Sequence, residues 1–262
     1  MTSGKGGVGK TSIAVNLAVS LRLFGADVLL VDADMGLGNV DVLLGLTAER
    51  DMRDVLLHGA AIEEAVMEGP AGLRILPGAS GVQELAELAP APMEGFLQQL
   101  DDYCATMDFV LVDTSPGIAS PVIGCLMAAD DVLLVTNPEP AAITDAYALL
   151  KVLSGRPEAS DRSISVVMNQ AIGKEEALRS FDRLRAAAKF FIDWDICYLG
   201  SVVRDDAVSA ASRRQVDFVT HYSDSPASRD VRKLAARLAS AGQNTSTEIG
   251  RFFRTAVEGV NE

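Results

Sequence analysis

The residues Gly4-Lys5-Gly6-Gly7-Val8-Gly9-Lys10-Thr11 satisfy the spacing G-x-x-x-x-G-K-[ST]. Glycines at these places let the backbone close around phosphate oxygens, where side chains would collide. A helix opening near Lys10 would point its first N–H groups at the same anion. Lys10 would then reach the β- and γ-phosphates, the Thr11 hydroxyl would ligate Mg²⁺, and Ser12 would extend the cradle. A three-glycine fingerprint alone is a weak signal. An eight-residue pattern that opens an amphipathic helix is a strong one, so the chain is expected to bind ATP and Mg²⁺.

Carboxylates stand at the ends of apolar runs. Val31-Asp32-Ala33-Asp34 closes one run, and residues two apart face the same side of an extended chain. A carboxylate there would hold a Mg²⁺-bound water or orient the attacking water. Asp113 closes another run, in Asp113-Thr114-Ser115-Pro116-Gly117, as a Walker B element presents a carboxylate to magnesium. Gly117 adds a flexible point able to respond to the γ-phosphate. Taken singly, each aspartate reads more readily as a turn former or helix cap. Beside a phosphate loop, and at successive strand ends, the functional reading outweighs that one. Asn169 ends a third run and reads equally as an adenine contact or an Asx turn. His58 and His221 have no companions at metal-ligand spacing and read as structural.

The elements that must carry these residues follow from hydrophobic patterning. Continuous Val/Leu/Ile runs at 27–32, 73–76, 108–113, 131–136, 163–169 and 196–200 suit parallel strands covered on both faces. Helix-length segments at 10–24, 92–107, 118–128, 141–153, 175–191 and 225–241 lie between or after them. The alternation predicts an α/β fold, a doubly wound, mainly parallel sheet flanked by helices. Ligands sit at the carboxyl ends of strands in such sheets, where most of these motifs fall.

At 262 residues, one ATPase domain over 1–242 is expected, followed by a separate C-terminal helix over 247–260. No apolar run reaches the ~18–20 residues that cross a bilayer, and no secretory signal opens the chain. Three scattered cysteines, Cys104, Cys125 and Cys197, suit a reducing cytoplasm rather than a disulfide framework. A net charge of −13 argues against a nucleic-acid partner. Arg213 and Arg214, the clearest basic cluster, read as a solvated helix end.

The loop Lys5-Gly-Gly-Val-Gly-Lys-Thr has a second lysine, the deviant Walker A form, and with it the chain resembles the MinD/ParA family of ATPases. Within that family it is most similar to the FlhG/FleN-type flagellar number regulators. The segments SGKGGVGKTSIAVNLA, LLVDADMGLGNVDVLLGL, LRILPGASGVQELAEL, DFVLVDTSPGI, EPAAITDAYALLKVL, YLGSVVRDDAVSAASRRQ and SPASR carry the resemblance across nearly the whole chain. The P-loop ATPase fold of this family is thereby implied. So is slow ATP hydrolysis in a homodimer that forms on Mg·ATP, in which Lys5 crosses to the partner's phosphates. Asp34 would position the hydrolytic water, Asp32 would support the magnesium shell, and Asp113 would sense metal and γ-phosphate. Asn169 would contact adenine, with Arg204 and Asp205 near the base. Implied partners are an FlhF-type GTPase, flagellar switch proteins or a flagellar transcription activator, and reversibly the inner face of the cytoplasmic membrane.

Three departures from the family pattern stand out. Only Met1, Thr2 and Ser3 precede the loop, where a complete buried strand is usual. Most of the first strand is therefore expected to be lacking, with a gap at the sheet's centre and either an upstream start or a truncated chain as its explanation. A DQAxxLR-type activation helix is not found in the sequence, which puts FlhF activation in doubt. The switch reads DTSPGI where such relatives often have DTAAGI. At the other end, Ile249, Phe252, Phe253, Val257 and Val260 fall on one helical stripe flanked by Arg251 and Arg254. That stripe would lie in a membrane interface or dock on the protein itself. Two rivals share the fold. A ParA-type partition or MinD-type division-positioning ATPase meets the charge argument where it needs DNA, and an iron–sulfur carrier lacks paired cysteines.

Overall fold

The computed structural model describes residues 1–34, 38–78, 90–156, 159 and 163–241, with the backbone alone for 90–94 and 241. The segment 247–260, read above as an amphipathic helix, lies outside the described residues.

Among the described residues seven strands are formed: β1 (Val28–Ala33), β2 (Met67–Glu68), β3 (Arg74–Leu76), β4 (Phe109–Thr114), β5 (Asp131–Thr136), β6 (Ser163–Ala171) and β7 (Cys197–Val203). The longer helices are α1 (Lys10–Leu23), α5 (Pro90–Cys104), α6 (Ser120–Ala128), α7 (Pro140–Ser154), α8 (Lys174–Ile192) and α11 (Pro226–Ala241). Shorter helices are α2 (Val40–Leu44), α3 (Met52–His58), α4 (Ile62–Ala65), α9 (Asp206–Arg214) and α10 (Phe218–His221). Every strand and long helix expected within the described residues is present, within a few residues at each end. Helices α2, α3, α4 and α10 were not foreseen, because four to seven residues hold too little of a 3.6-residue period to stand out. Arg213 and Arg214 do end a helix, α9.

The strands are buried on both faces, which is why their sequences do not alternate. Val28 and Leu30 of β1 pack into the core shared with α1 and α11, while Leu29 and Val31 pack into a second core with α3 and α5. A third core lies between β5, β6 and the helices α7 and α8. None of the described helices is long and apolar enough to cross a membrane.

Pairing divides the strands into two sets, ordered β2-β3-β1-β4 and β5-β6-β7, all parallel except β2 against β3. Between β4 and β5 runs the chain at 1–3. Thr2 forms a parallel bridge with Leu134: Thr2 N–H donates to Leu133 C=O at 2.9 Å, and Val135 N–H donates to Thr2 C=O at 2.8 Å. On the other side Thr114 N–H donates to Met1 C=O at 3.1 Å. Among the described residues β4 and β5 do not pair with each other, and residues 1–3 join them at the carboxyl end, where the phosphate loop begins.

Candidate functional site

The loop at 4–9 leaves that seam and turns into α1. Gly4 sits so close to α7 that a Cβ there would stand 2.3 Å from the Asp145 carbonyl carbon. Gly9 has φ +86°, and a Cβ on it would lie 2.4 Å from Asn169 Nδ2. Neither position tolerates a side chain, so these glycines set the loop's path as well as its openness. Lys10 and Thr11 are the first residues of α1, whose free N–H groups face the loop's concavity. A cavity of about 550 Å³ opens there, walled by the loop, Lys10, Thr11, Ser12, Asp34, Pro116 and Gln215 among others.

Lys10 is almost wholly buried and pairs with Asp113, its Nζ 2.6 Å from Oδ1 and 3.4 Å from the Thr11 hydroxyl. Asp113 is likewise buried, and its Oδ2 has no hydrogen-bond partner among the described residues. An orphaned, buried carboxylate oxygen costs free energy unless something completes it. A hard cation with oxygen ligands suits the place: Asp113 and the Thr11 hydroxyl supply oxygens, and phosphate and water would supply the remainder. These residues therefore fit Mg²⁺ and a polyphosphate.

The two aspartates after β1 have separate surroundings. Asp34 is half-buried on the cavity wall, and its Oδ1 accepts the Ser115 hydroxyl at 2.6 Å. Asp32 is buried and folds back on its own chain, accepting from the N–H groups of Asp34 (3.0 Å), Asn39 (2.8 Å) and Val40 (3.1 Å). Burial pushes its carboxyl up to about 6, against the opposing pull of those amides. Asp32 thus organises the loop that carries Asp34.

Other expected residues are placed differently. Asn169 stands beside the loop and donates from Nδ2 to Val8 C=O at 2.8 Å, so here its amide braces the phosphate loop. Asp205 is the N-cap of α9 and also accepts from Ala227 N–H at 3.0 Å. Burial would raise its carboxyl, but the amides of Ala227 and Ala207 outweigh that and hold it below the usual range. Arg204 lines a second cavity of about 150 Å³ with Asn137, Glu139, Gln170 and Ile172. Lys5 is exposed and pairs with Glu139 at 3.4 Å.

Sequence reasoning passed over several supporting residues. Asn16 is buried in α1, donates to Ser12 C=O at 2.8 Å, and accepts from Phe218 N–H (2.8 Å) and Val219 N–H (3.1 Å). It ties the helix behind the loop to the start of α10. Gln215, in the left-handed region at φ +54°, donates to Val42 C=O at 2.8 Å and clasps α2 to the end of α9. Gly117 N–H donates to Ser3 C=O at 2.8 Å, which joins the segment after β4 to the root of the loop. A buried polar residue in an apolar helix was the available signal for Asn16. Gln215 had none, and Gly117, read above as a flexible point, gave none for this tie.

Comparison with known proteins places the chain among relatives. A family model described as an AAA domain matches residues 1–166. The chain is 39% identical over 240 residues to the antiactivator FleN of Pseudomonas aeruginosa, covering 92% of this chain and 85% of that protein. It is 32% identical to the flagellum site-determining protein YlxH of Helicobacter pylori, covering 95% and 84%. Among solved structures it resembles the septum site-determining protein MinD complexed with Mg-ADP from Pyrococcus horikoshii, with a TM-score of 0.72 and 25% identity over 94% of this chain and 100% of that one.

Proposed function

The chain belongs to the MinD/ParA family of P-loop ATPases, in its FlhG/FleN branch, and from that premise we propose that it is a nucleotide-driven dimerising switch in the control of flagellar number or placement. The observation that carries this reading is the buried Lys10–Asp113 pair: Lys10 lines a glycine-walled cavity, and Asp113 keeps an uncompleted carboxylate oxygen. ATP would seat its phosphates against the loop amides and the start of α1. Lys10 would then divide its charge between Asp113 and the phosphate oxygens. Thr11 and Asp113 would hold Mg²⁺, which would supply positive charge to the transferring phosphoryl group. Asp34 faces the cavity and would orient the attacking water, while Asp32 holds Asp34 from behind. Asn169 would position the base side of the nucleotide through the loop it braces, with Arg204 beyond it. Such chemistry works mainly by positioning and charge stabilisation, and turnover is slow because a switch needs a long-lived ATP state.

Lys5 is the residue that would reach a second copy. Its partly exposed side chain is paired with Glu139. The names of two relatives, an antiactivator and a flagellum site-determining protein, support a regulatory partner: a transcription activator, an FlhF-type GTPase or flagellar switch proteins. Membrane attachment of the ATP-bound dimer through Ile249, Phe252, Phe253, Val257 and Val260 is part of the same proposal, from the sequence alone. Replacing Phe252 and Phe253 with Glu is expected to abolish ATP-dependent sedimentation with liposomes.

The deciding experiment is the solution mass of Asp34→Ala with Mg·ATP and with Mg·ADP. A dimer in ATP, a monomer in ADP, and Lys5→Ala monomeric in both are the expected results. A monomer throughout would overturn the dimer switch and leave nucleotide binding to be measured separately.

A further inference from the structure

Strands β1 and β4 run parallel and in register, Asp32 opposite Asp113 and Ala33 opposite Thr114. One residue beyond, the two chains leave the sheet side by side and Asp34 meets Ser115. The Ser115 hydroxyl donates to Asp34 Oδ1 at 2.6 Å, the length of a charge-assisted O–H···O⁻ bond. Both partners are anchored from behind. Asp34 N–H is held by Asp32 Oδ1 at 3.0 Å, and Asp32 is itself buried and fixed by the amides of Asn39 and Val40. The segment after Ser115 is tied to the phosphate loop's root through Gly117 N–H and Ser3 C=O at 2.8 Å. The bond therefore joins the loop after β1 to the loop after β4, at a residue that lines the cavity.

We propose that Ser115 is a positioning residue for turnover: its hydroxyl selects the side-chain rotamer in which the Asp34 carboxylate meets the attacking water. This rests on the reading of Asp34 as the water-orienting carboxylate. A half-buried aspartate without a fixed donor samples several staggered wells, and only one of them aims at a given point in the cavity. A short bond from a donor anchored to the neighbouring strand selects that well before the nucleotide arrives, which is the kind of preorganisation that raises kcat. Ser115 acts through Asp34 rather than on the nucleotide, so its loss is felt in kcat and not in affinity.

The test is steady-state ATP hydrolysis by the wild-type chain, Ser115→Ala, Ser115→Thr and Asp34→Ala, with thermal midpoints taken for each. Ser115→Ala is expected to lower kcat about tenfold while KM for Mg·ATP changes less than about twofold, and Ser115→Thr, which keeps the hydroxyl, to recover most of the loss. A wild-type or raised kcat in Ser115→Ala overturns the proposal, as does an equal loss in the threonine variant. Asp34→Ala turning over like wild type would remove the role of Asp34 and this inference together. An inactive Asp34→Ala beside an unaffected Ser115→Ala would remove the inference alone.

Discussion

The site's chemistry turns on single atoms whose needs are met locally. Lys10 and Asp113 are both buried, and each is the other's counter-charge. Asp113→Ala would strand the lysine, and urea unfolding is expected to show a loss of about 3–5 kcal/mol. Adding Lys10→Met should recover most of that loss, because the stranded charge goes with it. The members of this constellation were legible in the sequence, because a phosphate loop fixes which residue types follow one another over eight positions. The Ser115–Asp34 bond was not, since its partners lie 81 residues apart and only the β1–β4 register brings them together. The hydrogen bonds of Asp32 were hidden for a related reason. The two-residue spacing placed it beside Asp34, yet its side chain turns back to cap the chain at 39–40.

Elements are joined by buried polar contacts that strand and helix patterns do not announce. Asn16 receives two backbone N–H groups of α10 from within α1. Asn16→Ala leaves both without their acceptor and should cost about 2–4 kcal/mol, measured by urea unfolding with nucleotide absent. The long strands were readable because burial on both faces writes a continuous apolar run. Helix α2 was not, although it borders the cavity, because five residues show no period and its place is fixed by Gln215 from the far end of the chain. Two cysteines lie in the core around α5 and α6, and burial pushes both Cys104 and Cys125 up to about 12. Cys197, on β7, is exposed. At about pH 8 a thiol reagent is expected to modify Cys197 alone in the folded protein and all three cysteines in urea. Labelling of Cys104 in the folded state would mean that the α5 core opens.

At the scale of the whole molecule, charge and assembly set the behaviour. With a net charge of −13, the ATP-loaded protein is expected not to shift duplex DNA even at about 50 mM salt, where electrostatic binding is strongest. Anisotropy of a labelled duplex would check this, and a salt-sensitive rise with ATP would bring back the partition reading. The proposed assembly would depend on Lys5, whose present partner, Glu139, shares its exposure to solvent. Pairs of this kind contribute roughly 0–1 kcal/mol, and at about 0.5 kcal/mol roughly three molecules in ten hold the lysine unpaired at any instant. The arm that a second copy would need is thus already released in a sizeable minority of the population. Encounter between two loaded copies would then be limited by how often they collide in the right orientation, and added salt would raise the fraction that arrives ready.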